Sequence, residues 1–205
     1  LPISAGAGAN PFETGAGLNG PGGFGGGMGM MGGGGGGGMG MMNLNLGAPG
    51  DRKDDSRGLW LGYPRPSGSL VLQMKVGLSF FPGGGYFRHD PARLPIEGTD
   101  KPWVFRSGLH SLRKCTVPLA DPVDGKARYT VRLAFAELEQ EAAGQRVFDI
   151  KLQGKVVAED FDIFQEAGGK NKAVIKEFTG IDADDKLTVE FVSRVADPAA
   201  DQLPI

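Results

Sequence analysis

Between Tyr129 and Phe164 the chain reads YTVRLAFAELEQEAAGQRVFDIKLQGKVVAEDFDIF, and this stretch constrains the fold more than any other. Tyr129, Val131, Leu133 and Phe135 alternate with Thr130, Arg132 and Ala134. Successive side chains of a strand point to opposite faces, so this spacing places four large apolar groups on one face. Phe148, Ile150 and Leu152 repeat the pattern against Val147, Asp149 and Lys151. Gln153-Gly154 interrupts it and Val156-Val157 resumes it, which predicts a hairpin with glycine at the tight position. Phe161 and Ile163 alternate once more.

The same short-strand signal recurs on both sides. Leu59-Trp60-Leu61 with Tyr63 predicts a strand stopped by Pro64 and Pro66. Ser69 to Leu78 predicts a longer strand with Leu70, Leu72, Met74 and Val76 on one face. Phe80 and Phe81 lead into a predicted turn at Pro82–Gly85. Leu112 to Leu119 predicts another strand, closed by Asp121-Pro122 and Asp124-Gly125. Ala173 to Thr179 and the alternating Leu187, Val189 and Phe191 predict the last two. Only AELEQEAA at 136–143 has helix propensity, and it is short. Many short strands with turns every 8–12 residues predict an all-β protein, an antiparallel β-sandwich.

The N-terminal part obeys a different composition. Residues 1–50 hold 21 of the 36 glycines, six of the seven methionines and a single charged residue, Glu13. Glycine loses the most backbone entropy on ordering, and this segment has little apolar area to offset that loss. The expected division is a Gly/Met-rich low-complexity arm and linker over residues 1–56, then one folded domain over residues 57–205. The run DRKDD at 51–55 marks the boundary and reads as solvated. The glycine run lacks the Gly-Lys-Ser/Thr ending of a phosphate loop. Its methionines have no His or Cys beside them to complete a metal site, so no metal or other cofactor is expected.

Acids and bases nearly cancel, with a formal net charge of −2. That offers no electrostatic case for nucleic acid as a partner. No stretch approaches the ~20 consecutive apolar residues of a membrane-spanning helix. Cys115 is the only cysteine and sits in a strand-like context, which predicts a small buried hydrophobe. His89 and His110 have no acidic or cysteine partner at ligand spacing. Ser107 and His110 lack a nucleophile-elbow pattern. Asp160/Asp162 reads as turn capping, and Asp182/Asp184/Asp185 as a charged turn. No enzyme activity is expected.

Phe135-Ala136-Glu137, then GQRVFDIKLQG, then DFDIF, occurring in that order, resemble the central signature of malectin and malectin-like domains. The resemblance covers about residues 57–205. It implies a jelly-roll β-sandwich, an extracellular or cell-surface location and carbohydrate as a candidate partner. In that family an aromatic pair soon after the Phe-Ala-Glu segment and an acid near the last strand hold sugar. An ungapped match puts the pair on Glu139 and Gln140, so the aromatic platform is absent there. Asp197 or Asp201 stands for the late acid. Trp60, Tyr63, Tyr86 and Trp103 are the aromatics left to build a platform elsewhere. The resemblance also implies a further apolar strand starting at Leu203-Pro204-Ile205, whose absence would leave an edge for another segment to complete.

Two functions follow as expectations. The first is a structural subunit of a cell-surface or extracellular polymer, such as a filament. It would self-assemble as a homo-oligomer through Phe12, Phe24, Met28, Met30, Met31, Met39, Met41 and Met42 of the arm, and the domain would remain folded without residues 1–42. The alternative is a carbohydrate-binding module tethered by a flexible glycine-rich linker.

Overall fold

The structure is a computed structural model that describes residues 2–7, 42–56, 58–64, 75–90, 93–119, 127–194, 198 and 203. The strands are β1 (Pro2–Ala7), β2 (Met42–Leu46), β3 (Arg52–Lys53), β4 (Leu59–Tyr63), β5 (Gly77–Arg88), β6 (Ser107–Pro118), β7 (Ala127–Ala136), β8 (Val147–Leu152), β9 (Lys155–Asp162), β10 (Ala173–Ala183) and β11 (Lys186–Ser193). A short 3-10 helix spans Pro102–Arg106, and the five-residue α1 spans Ile163–Ala167. Two sheets form, a six-stranded one in the order β10-β7-β1-β2-β4-β3 and a five-stranded one in the order β5-β6-β11-β8-β9. Every pair is antiparallel except β2 with β4. The expected all-β jelly-roll sandwich is the fold observed.

The alternation read from the sequence is the alternation that builds the core. Val131, Leu133 and Phe135 of β7 face Phe148, Ile150 and Leu152 of β8 and Leu187, Val189 and Phe191 of β11, all buried. Phe135, Phe148, Phe161 and Phe191 form one aromatic cluster. Its ring centroids are 5.0 Å apart for Phe135–Phe161 and 5.6 Å apart for Phe148–Phe191. The hairpin at Gln153-Gly154 joins β8 to β9 with φ of 50° and 77°, the pair of positive values that a two-residue turn between twisted strands requires. Asp162 caps α1, accepting from the Gln165 amide at 3.1 Å, as expected for a turn-capping carboxylate.

Cys115 is fully buried in β6, as predicted, and desolvation pushes its thiol up to about 12. The thiolate is the reactive form, so burial and the raised value act together against attack. Native protein at pH 8 is expected to be unreactive towards Ellman's reagent, and one thiol equivalent should appear on denaturation. Rapid native labelling would show that the β6–β11 region opens readily.

The structure corrects the turn expected in β5 and adds detail on two other segments. The turn predicted at Pro82–Gly85 is instead an irregular bulge inside β5, where the register with β6 shifts between Phe80 and Gly85. A Cβ on Gly84 would stand 2.7 Å from the Ser111 carbonyl oxygen, so the two strands can approach there only because the residue is glycine. The segment 136–143 is a loop after Ala136, not a helix. Side chains take its backbone donors: Glu137 accepts from the amides of Glu139 and Gln140, and Gln145 from those of Glu141 and Ala142.

Strands N-terminal to residue 57 also take part in the sheet. These are β1, β2 and β3, which share it with β4. β1 sits between β7 and β2, with Ile3 opposite Leu133 on one side and Leu44 on the other. Ile3, Leu44 and Leu46 are completely buried. A strand with little side-chain volume still satisfies the backbone groups of both neighbours, and composition does not register that gain. The predicted strand over Ser69–Leu78 falls mostly outside the described residues.

Candidate functional site

The outward face of the six-stranded sheet carries the candidate site. Asn43 and Asn45 of β2 and Trp60 of β4 lie on the face opposite Leu44 and Leu61, which pack into the core. The segment from Leu94 to Phe105 packs against part of this outer face. Ile96, Val104 and Phe105 bury themselves with Ala134 and Ala136 of β7. Alanines at these outward positions keep the sheet shallow enough for the 3-10 helix to pack closely. That helix brings Trp103 against Trp60 edge to face, with centroids 5.5 Å apart and planes at 84°.

Beside this pair lies an open cleft of about 510 Å³, walled by the loop between β2 and β3 and by the residues around His89 and Arg106. Two glycines hold the loop in place. Gly47 has φ of +87°, and a Cβ there would meet the Gly108 backbone at 2.8 Å; one on Gly62 would meet the Gly50 carbonyl oxygen at 2.5 Å. Asp51 accepts the Gly62 amide at 3.0 Å, which ties the loop to β4. Arg88 donates from Nε to the Gly47 carbonyl at 3.2 Å. The Arg52 guanidinium lies 4.5 Å from the Trp103 ring centroid, a cation–π contact.

Asp54 fixes the indole of Trp60. It accepts the Trp60 Nε1 proton at 3.1 Å, the Ser56 hydroxyl at 2.6 Å and the Gly58 amide at 2.7 Å. The Ser56 hydroxyl first, and the Trp60 indole next, hold its carboxyl down at about 2. It therefore remains an acceptor for the indole at all but strongly acidic pH. Asn45, which lines the cleft, is 3% exposed, and its side-chain oxygen has no hydrogen-bond partner among the described residues. A buried acceptor of this kind costs free energy unless a water or a ligand hydroxyl donates to it.

Of the aromatics singled out in the sequence, the structure unites Trp60 and Trp103 and separates the others. Tyr63 points to the core side of β4 and donates its hydroxyl to the Val76 carbonyl at 3.1 Å. Tyr86 lies on the other sheet, edge-on to Phe80 with centroids 6.3 Å apart. Glu139 and Gln140 do not line the cleft. Glu139 accepts from Arg146 at 2.7 Å, and Gln140 is buried. Arg146 is itself buried and forms two 2.8 Å bonds to the buried carboxylate of Glu137, so this loop is occupied by an ion-pair network. Asp197 and Asp201 lie outside the described residues, as do Phe12, Phe24, Met28, Met30, Met31, Met39 and Met41. Met42 is half-buried against the chain's own core.

Sequence reasoning passed over Asn45, Arg52, Arg88 and Arg106. Arg52 belongs to the charge run read as solvated; it opens β3 and stacks on Trp103 instead. Among the described residues there is no cluster of three metal-ligating groups, and no helix is long and apolar enough to cross a membrane.

Comparison with known proteins agrees with this architecture. A probable leucine-rich repeat receptor-like serine/threonine-protein kinase of Arabidopsis thaliana is 42% identical over 71 residues, covering 32% of this chain and 7% of the kinase. A probable receptor-like protein kinase of the same plant is 43% identical over 56 residues, covering 27% of this chain and 7% of its own length. The chain thus spans only a small part of these relatives. Among solved structures, a Bacteroides uniformis beta-glucuronidase 2 shares the fold, with a TM-score of 0.53 at 19% identity over 75% of this chain and 16% of that one. The family model for the malectin domain matches residues 94–197. Within that span the Phe-Ala-Glu, Val-Phe-Asp-Ile and Phe-Asp-Ile-Phe segments meet in the core through Phe135, Phe148 and Phe161. Half of the chain matches the family model, and its signature segments build the centre of the sandwich: the chain belongs to the malectin domain family.

Proposed function

We propose that this domain is a non-catalytic carbohydrate-recognition module whose sugar seat is the Trp60–Trp103 cleft. The observation that carries this reading is the tryptophan pair lining one cleft with an Asn45 side-chain oxygen that has no hydrogen-bond partner among the described residues. Sugar rings present C–H groups that pack on aromatic faces, while hydroxyls satisfy polar groups at the cleft floor. The receptor-like relatives support a place outside the cell or at its surface. The assembly role expected from the arm has no comparable support, since Met42 is used inside its own sandwich.

Calorimetry against a panel of oligosaccharides tests the seat. Trp60→Ala and Trp103→Ala should each weaken binding tenfold or more, about 1.4 kcal/mol. Glucose disaccharides should bind no more tightly than about millimolar, because Glu139 and Gln140 replace the aromatic pair and are held by the Arg146 network. Micromolar binding of such a disaccharide, lost in Glu139→Ala and kept in Trp60→Ala, would move the seat to that loop.

A further inference from the structure

The charges around the cleft point to the kind of sugar it takes. Arg93, Arg128, Arg132, Arg146 and Arg194 each form an ion pair with a carboxylate. Arg52, Arg88 and Arg106 do not pair with any carboxylate among the described residues, and all three line this one cleft. The only other described arginine without an acid is Arg113, which lies over Phe81 with its guanidinium carbon 5.8 Å from the ring centroid, away from the cleft. Asp51 is the one acid in the cleft wall, and it is engaged by the Gly62 amide. His89 adds a further nitrogen donor or acceptor at the same wall.

We infer that the cleft is selective for carboxylate-bearing sugars, that is, for uronic-acid residues of a glycan over their neutral counterparts. The inference rests on the proposed sugar seat and adds the identity of its charge. A guanidinium offers parallel N–H donors that match both oxygens of a carboxylate. Arg52 is held by its stacking on Trp103, and Arg88 by its bond to Gly47, so both present donors from restrained positions. A uronic acid ring carries its carboxylate on the carbon outside the ring. Its C–H face can therefore lie on an indole while the carboxylate reaches the arginines at the rim. Asn45 offers an acceptor for a hydroxyl, which a carboxylate alone would not need.

The test uses the full chain and matched ligands. Tetrasaccharides of glucuronic, galacturonic and mannuronic acid are each compared by calorimetry with the same tetrasaccharide reduced at its carboxylates to the neutral alcohol. At least one uronide should bind tenfold or more tightly than its reduced form, and the advantage should shrink as salt is raised. Arg88→Gln and Arg106→Gln, both at exposed positions, should bring that ratio down towards one, while Arg113→Gln should leave it unchanged. Equal binding of both forms, abolished by Trp60→Ala, would overturn the charge selectivity and leave the sugar seat standing. Uronide binding that ignores Trp60→Ala, or that is equalled by dextran sulfate, would overturn the inference as unspecific attraction of anions. Failure of every uronide and every reduced form to bind would overturn both.

Discussion

Deletion of residues 1–7 is expected to abolish the folded state, although these residues precede a stretch of almost pure glycine and methionine. β1 runs antiparallel to both of its neighbours in the middle of the six-stranded sheet. Without it, β7 and β2 each lose a line of backbone hydrogen bonds, and the sheet divides into β10-β7 and β2-β4-β3. Neither fragment has enough strands and buried face to hold the sandwich closed. The Ile3 side chain, fully buried, leaves a hole opposite Leu133 and Leu44. Ile3→Ala alone should cost about 2–5 kcal/mol, a large share of the stability of a domain this size. The truncated chain should lose its near-ultraviolet circular dichroism and its cooperative thermal transition. A deletion variant that melts cooperatively within a few degrees of the whole chain would place β1 outside the native sheet.

Phe148→Ala should destabilise the domain by about 3–5 kcal/mol. Phe148 is completely buried and its ring meets Phe161 at 5.4 Å, Phe191 at 5.6 Å and Phe135 at 6.3 Å. The three partners come from β7, β9 and β11, so the removed ring cannot be replaced by a local shift of one loop. The surrounding rings are confined by both sheets, and the cavity should remain largely unfilled. Chemical denaturation should show a lower midpoint with an unchanged slope against denaturant, because the surface exposed on unfolding is nearly the same. A loss below ~1 kcal/mol would mean that the sandwich relaxes around the gap. Phe148→Leu should recover part of the loss, since it restores apolar volume without the ring geometry.

The strands with large side chains were legible because burial on one face of a sheet imposes period two, and period two is a property of neighbouring residues. Val131, Leu133 and Phe135, like Leu187, Val189 and Phe191, announce their inward face in this way. The hairpin at Gln153-Gly154 was legible for an equally local reason, since few residues accept two positive φ values in succession. β1 was not legible. Its sequence, PISAGA, has one large apolar residue, and what makes it a strand is the presence of β7 and β2 on either side. Composition assigned it to a tail because composition measures side chains, whereas a central strand is also held by its backbone.

The candidate site divides in the same way. The sequence by itself determined that no aromatic residue lies between Phe135-Ala136-Glu137 and Phe148. It also determined that Trp60 and Trp103 were available. Only the tertiary structure decided that these two rings meet, because 43 positions of chain separate them and the contact depends on Leu94–Phe105 crossing the outer face of β7. The same holds for Arg52, Arg88 and Arg106. Each is an ordinary surface residue within its own segment, and a shared charged rim arises only when β3, β5 and the end of the 3-10 helix are brought to one cleft. Strand formation is written in neighbours along the chain; a binding surface is written in neighbours across it, and those are set by how the sheets pack.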